Sequence, residues 1–133
     1  MPYTVMVCSK AEEGKQLIGK NFRKREFACK DGSDIILIHP ELAEILQKVR
    51  DYFRAPVTIT SAYRTESYNK KVGGEKKSQH LYGTAADIQV KGISPAKVAA
   101  YVETLLPNKG GIGTYSNFVH VDVRPKRARW KGR

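Results

Sequence analysis

Toward the end of the chain, Phe118-Val119-His120-Val121-Asp122-Val123 alternates strictly, and this alternation limits the fold more than any other feature. Successive side chains of a β-strand point to opposite faces, so Val119, Val121 and Val123 share one face and Phe118, His120 and Asp122 the other. Three valines in a row on one face belong against a core. The opposite face then carries an imidazole and a carboxylate two residues apart, close enough to serve one metal or one substrate. Residues 85 to 90 repeat the design, with Ala86, Ile88 and Val90 on the aliphatic face and Asp87 on the other. If both strands lie in one sheet, Asp87 and His120 face each other.

The remaining elements fit around such a sheet. From Pro40 to Phe53, apolar Leu42, Ile45, Leu46, Val49, Tyr52 and Phe53 recur at three- and four-residue steps, which predicts an amphipathic helix opened by its proline. Ala55-Pro56 ends it before a β-branched segment, Val57 to Thr60. Residues 66 to 72 have room for one or two helical turns before Gly73-Gly74. Ser94-Pro95 is an N-cap with a first-turn proline, opening a second helix through Leu106. Ile112 to Tyr115 and Phe118 to Val123 are joined by Ser116-Asn117, as in a hairpin. The expected class is α+β: a small, mainly antiparallel sheet packed with helices.

At 133 residues the chain can bury roughly two-thirds of its unfolded surface without disulfides. No linker or repeat divides it, so one domain spans 1–133, with a core over about 17–123. Residues 9 to 34 are the least patterned and read as irregular. Residues 124–133 hold six basic residues in ten and read as a basic C-terminal tail, either solvated or in contact with a polyanion. Cys8 and Cys29 are too few and too scattered for a disulfide framework or a metal knuckle. No apolar run approaches the ~18 residues of a membrane span. The N-terminus lacks the basic and apolar regions of a secretory signal, so the expectation is a protein made in the cytoplasm. With 24 Lys plus Arg against 13 Asp plus Glu, the net charge of +11 favours polyanionic partners: nucleic acid, anionic membrane or acidic wall polymer.

His80 precedes Asp87 by seven residues, and Gly83 gives the intervening loop the freedom to fold back. Two imidazoles and one carboxylate form a zinc set with a fourth position for water. Spacing alone favours a hydrogen-bonded strand histidine over a metal ligand, because these residues form no self-sufficient motif such as HExxH.

Ser78-Gln79-His80-Leu81-Tyr82-Gly83-Thr84-Ala85-Ala86-Asp87 resembles the SxHxxGxAxD signature of the M15 zinc peptidases, the D-alanyl-D-alanine carboxypeptidase and murein peptidase group, at every fixed position. Ser61-Ala62-Tyr63-Arg64-Thr65 resembles the family's S-x-Y-R-T segment. Gly110 to Tyr115, then Phe118 to Arg124 and on to Trp130, resemble its closing block, and the likeness covers roughly residues 17 to 130. The resemblance implies a hedgehog/D-Ala-D-Ala-peptidase-like domain with Zn2+ on His80, Asp87 and His120. It implies that Arg64 steadies the carbonyl oxygen and that Ser78 contacts substrate. Tyr82 flanks the same segment and is a candidate groove residue, with packing as its other reading. The implied reaction is hydrolysis of a peptide bond in peptidoglycan stems or cross-links, by a carboxypeptidase or an endopeptidase. Its partners are peptidoglycan peptides, with no specific nucleic acid and a monomeric chain expected, acting at the wall after phage-type lysis or non-classical export.

The chain departs from the family at Asn117, where many members carry a Glu or Asp as general base three residues before the last zinc histidine. Asp122, on the His120 face, is the candidate replacement, as base or as partner of a metal ligand. The same departure supports a second reading, a non-catalytic basic module for wall polymer or nucleic acid on the same fold.

Overall fold

In the computed structural model, which describes residues 4–133, the two alternating segments are neighbouring antiparallel strands. They are β4 (Ala85–Val90) and β6 (Val119–Asp122), the centre of a five-stranded sheet. Strand β3 (Val57–Ser61) borders β4, while β5 (Gly111–Thr114) and then β7 (Ala128–Lys131) continue beyond β6. All pairings are antiparallel except β5 with β7, so the sheet is mixed and mainly antiparallel. The register sets Asp87 directly opposite His120.

Helices α2 (Pro40–Phe53) and α4 (Pro95–Leu105) pack on the aliphatic face. Both begin as their sequences dictate: the His39 ring accepts from the Glu41 N–H at 3.2 Å, Ser94 Oγ accepts from the Lys97 N–H at 3.3 Å, and a proline follows each cap. Leu42, Leu46 and Val49 of α2 and Val98 and Val102 of α4 meet Ile88, Val119 and Val121, all of them at most 1% exposed. That burial leaves the opposite face of β4 and β6 to the polar residues. A further short helix, α3 (Glu66–Lys71), carries the chain between β3 and a 3-10 turn at Gln79–Tyr82. Among the described residues, no helix is long and apolar enough to cross a membrane.

Two segments differ from their sequence readings. Residues 9 to 34 are not wholly irregular. Ser9 ends β1 (Met6–Ser9), which pairs with β2 (Ile35–Ile38) as a separate two-stranded sheet, and a one-turn helix α1 (Lys10–Glu13) follows. Asp34 fastens this corner, accepting from Ser9 Oγ and the Ala11 N–H at 2.7 Å each. The basic run at the end is also not a free tail. Its residues Ala128–Lys131 are strand β7, and Arg129 donates to Glu103 and to the carbonyls of Gly110 and Leu106. Charge density hid this strand because its guanidinium is folded inward on backbone oxygens, where composition alone predicts solvent.

Candidate active site

His80 is delivered by a short, over-determined loop. Ser78 Oγ caps the 3-10 turn by accepting from the His80 N–H at 3.2 Å. Gly83 ends the turn at φ 72°, a conformation few other residues adopt, and a side chain there would overlap the Leu37 carbonyl. The imidazole itself is 3% exposed, and its Nδ1 lies 2.7 Å from the Ala62 carbonyl. A carbonyl only accepts, so Nδ1 carries the proton and Nε2 keeps its lone pair.

That lone pair points at Asp87 Oδ1, 3.4 Å away. From the other side, His120 Nδ1 reaches the same oxygen at 3.0 Å. The opposite nitrogen, His120 Nε2, lies 2.7 Å from Asp122 Oδ2, the shorter of the ring's two carboxylate contacts, and in the neutral tautomer that donates there Nδ1 is the lone-pair nitrogen. Three lone pairs therefore converge, within 4.8 Å of one another, with no proton of the neutral residues between them. Such a cluster is favourable only around a cation. Two atoms each about 2.0–2.1 Å from one tetrahedral ion sit roughly 3.3 Å apart, close to the 3.4 and 3.0 Å that separate His80 Nε2 and His120 Nδ1 from Asp87 Oδ1. His80, Asp87 and His120 thus fit a metal ion in both chemistry and dimension. Burial works against the charge on Asp87, but the adjoining His120 and His80 overrule it and hold its carboxyl well below the usual range. Burial likewise opposes a charged His120, while its bonds to Asp122 and Asp87 raise its affinity for a proton.

Asp122 lies behind this cluster. It has no exposed surface and takes five hydrogen bonds: His120 Nε2, the Gly111 N–H, the Arg124 N–H, and Arg124 Nε and Nη2. A side chain at position 111 would overlap this carboxylate, which is why β5 has glycine there.

In front of it opens a cleft of about 640 Å³. Arg64 lines it, donating through Nε to Ser61 Oγ at 3.2 Å and through Nη1 to Asn69 Oδ1 at 3.1 Å, with Nη2 3.8 Å from Asp87 Oδ2. Ser78 lines it as well, so its capping role and its contact with the cleft coexist. Tyr82 does not: it is 48% exposed and absent from the cleft walls. Asn117 is exposed in the hairpin turn, its carbonyl accepting from Gln89 Nε2, and is likewise outside the cleft.

Sequence reasoning missed Asn69, Glu75 and Trp130 as members of the site. Asn69 is buried, holds Arg64, and donates through Nδ2 to the Glu75 carbonyl, shaping the loop that forms one wall. Nothing in its sequence context marks it. Glu75 lines the cleft from that loop. Trp130, on β7, packs 5.1 Å from the His120 ring and donates Nε1 to the Tyr115 hydroxyl. Tyr115 in turn stacks on Phe118 at 4.3 Å, making an aromatic wall.

The peptidase M15 family profile matches residues 15–122, a span that contains the whole His80, Asp87 and His120 cluster. The probable peptidoglycan L,D-endopeptidase MepK of Haemophilus influenzae is 38% identical over 85 residues, covering 59% of this chain and 44% of that protein. The peptidoglycan L,D-endopeptidase MepK of Escherichia coli is 32% identical over 126 residues, covering 86% of this chain and 68% of that protein, and the same figures hold for Shigella flexneri. The chain thus spans less than half the length of the first relative and about two-thirds of the others.

Proposed function

Because this chain belongs to the peptidase M15 family, we propose that it is a zinc-dependent peptidase that cuts peptidoglycan peptides, at a bond between an L- and a D-residue. The observation that carries the reading is the convergence of the His80 Nε2, His120 Nδ1 and Asp87 Oδ1 lone pairs at the floor of the cleft. The names of the relatives support the wall peptide as substrate and internal cleavage over trimming of a terminal residue. The +11 charge supports an anionic polymer as the surrounding medium.

His80, Asp87 and His120 would hold the zinc. When bound, the ion supplies Lewis acidity toward a carbonyl oxygen and lowers the pKa of a bound water. The protein supplies the rest. Arg64, fixed by Ser61 and Asn69, directs a permanently charged guanidinium into the cleft to stabilise negative charge developing on the carbonyl oxygen. Asp122 acts by position: it accepts the His120 Nε2 proton and so keeps Nδ1 as the ligand atom, on the far side of the ring from the cleft. A carboxylate so buried and so fully bonded is not the proton acceptor for an attacking water. That role goes to Glu75, the cleft carboxylate besides Asp87 among the described residues. Asn117 lies in the turn, so the departure that favoured a non-catalytic binding module touches no part of the cleft.

The test is zinc content per chain together with product analysis. Purified protein incubated with peptidoglycan fragments is expected to release peptides cut at an L,D bond, to lose that activity with a chelator and to regain it with zinc. His120→Ala is expected to lose both metal and activity. A wild-type chain that binds no zinc, or that hydrolyses with the chelator present, overturns the reading.

A further inference from the structure

Arg124 faces two ways. Toward the interior its Nε and Nη2 donate to the two oxygens of Asp122 at 2.9 and 2.7 Å. Its Cζ also lies 5.3 Å from the centroid of the Trp130 ring, so both the plane and the position of the guanidinium are fixed. Toward the outside it lines the cleft with a side chain 29% exposed, and no described residue accepts from Nη1. A planar fork bonded along one edge presents donors along the other, already oriented for a carboxylate. Trp130 touches both Arg124 and His120, so an anion on that edge lies beside the metal ligands. Lys77 is exposed and lines the same cleft, and no described hydrogen bond engages it. The third cation there, Arg64, is committed to Ser61, Asn69 and Asp87. Of the cleft's carboxylates, Asp87 is turned to the two histidines, leaving Glu75 as the one opposing charge.

Resting on the peptidase reading above, we infer that Arg124, assisted by Lys77, is the specificity-determining anion site of the cleft: the substrate is a peptide carrying a free carboxylate beside the bond to be cut, and the Nη1 edge of Arg124 binds it.

Binding to the metal-stripped full chain tests this without recourse to hydrolysis. The probes are an N-acetylated, C-terminally amidated tetrapeptide whose internal L,D bond is flanked by a side-chain carboxylate, and its side-chain carboxamide twin. Trp130 is the single tryptophan of the chain, so its fluorescence reports entry into the cleft, with calorimetry as the check. The acid is expected to bind about tenfold or more tightly than the amide, the size of one charge-assisted hydrogen bond, with a gap that narrows as salt is raised. Arg124→Gln is expected to bring the acid down to the affinity of the amide and leave the amide unchanged. Equal binding of the two peptides by the wild type overturns the assignment, as does an Arg124→Gln protein that weakens both equally, the result of a purely structural role through Asp122. Lys77→Gln disturbs no described hydrogen bond and carries the test should Arg124→Gln fail to fold. There a narrower gap is expected, and an unchanged one overturns the shared site. Failure of both peptides to bind the folded wild type removes the substrate reading itself.

Discussion

Asp122 accepts from His120 Nε2 at 2.7 Å, on the opposite side of the ring from the Nδ1 that faces Asp87. One carboxylate thereby decides which nitrogen of the neutral histidine is left to bind a metal ion. Asp122→Asn keeps the shape but removes the charge that Arg124 and His120 both use. Zinc affinity, measured by competition with a chromophoric chelator, is expected to fall about 10- to 100-fold. Unchanged affinity with lost turnover would instead restore Asp122 as the base.

Glu75 makes the complementary prediction. Glu75→Gln removes a proton acceptor without touching His80, Asp87 or His120, so zinc content should stay at the wild-type level. Turnover at saturating substrate is expected to fall about 100-fold or more. A full-activity variant would move the proton transfer elsewhere.

Asp31 gives the pH dependence. The Thr65 hydroxyl donates to its Oδ2 at 2.7 Å, and this bond, with those from Ser33, holds the carboxyl well below the usual range. A carboxyl depressed in the folded state contributes stability above its unfolded pKa of about 3.9 and loses it as pH falls through the folded value. The melting midpoint should therefore decline on acidification below about pH 4, and Asp31→Asn should decline less steeply. Scanning calorimetry across that range measures both slopes. Asp31 is exposed, so the difference is modest.

Arg129 tests whether the C-terminal strand belongs to the fold. Its guanidinium bonds Glu103 and the carbonyls of Gly110 and Leu106. Arg129→Ala leaves those carbonyls without their donor and is expected to cost about 2 kcal/mol in urea unfolding. An effect near zero would return residues 128–131 to the status of a tail.

Much of this molecule was legible in its residues. Valines at 119, 121 and 123 and Ala86, Ile88 and Val90 could bury themselves only by presenting His120, Asp122 and Asp87 on the other face, because strand periodicity leaves no second arrangement. The caps and first-turn prolines at His39-Pro40 and Ser94-Pro95 likewise set where α2 and α4 begin, since those bonds span only a few residues. The Ser78-to-Asp87 signature carried His80 and Asp87 of the candidate metal set, and the closing block carried His120. The exposed position of Tyr82 was not legible, because the 3-10 turn that points His80 inward points Tyr82 out.

What the sequence determined by itself is therefore whatever depends on local period and capping, the strand faces and the helix starts, while the family resemblance of its motifs pointed to His80, Asp87 and His120. The tertiary structure alone decided the rest. It chose Asp122 as the partner of His120 Nε2, recruited Asn69 to hold Arg64, and laid β7 along β5 so that Trp130 and Arg124 close one side of the cleft. Each of these joins residues whose meeting depends on how the sheet is ordered or how a ring is turned, and no spacing along the chain encodes that.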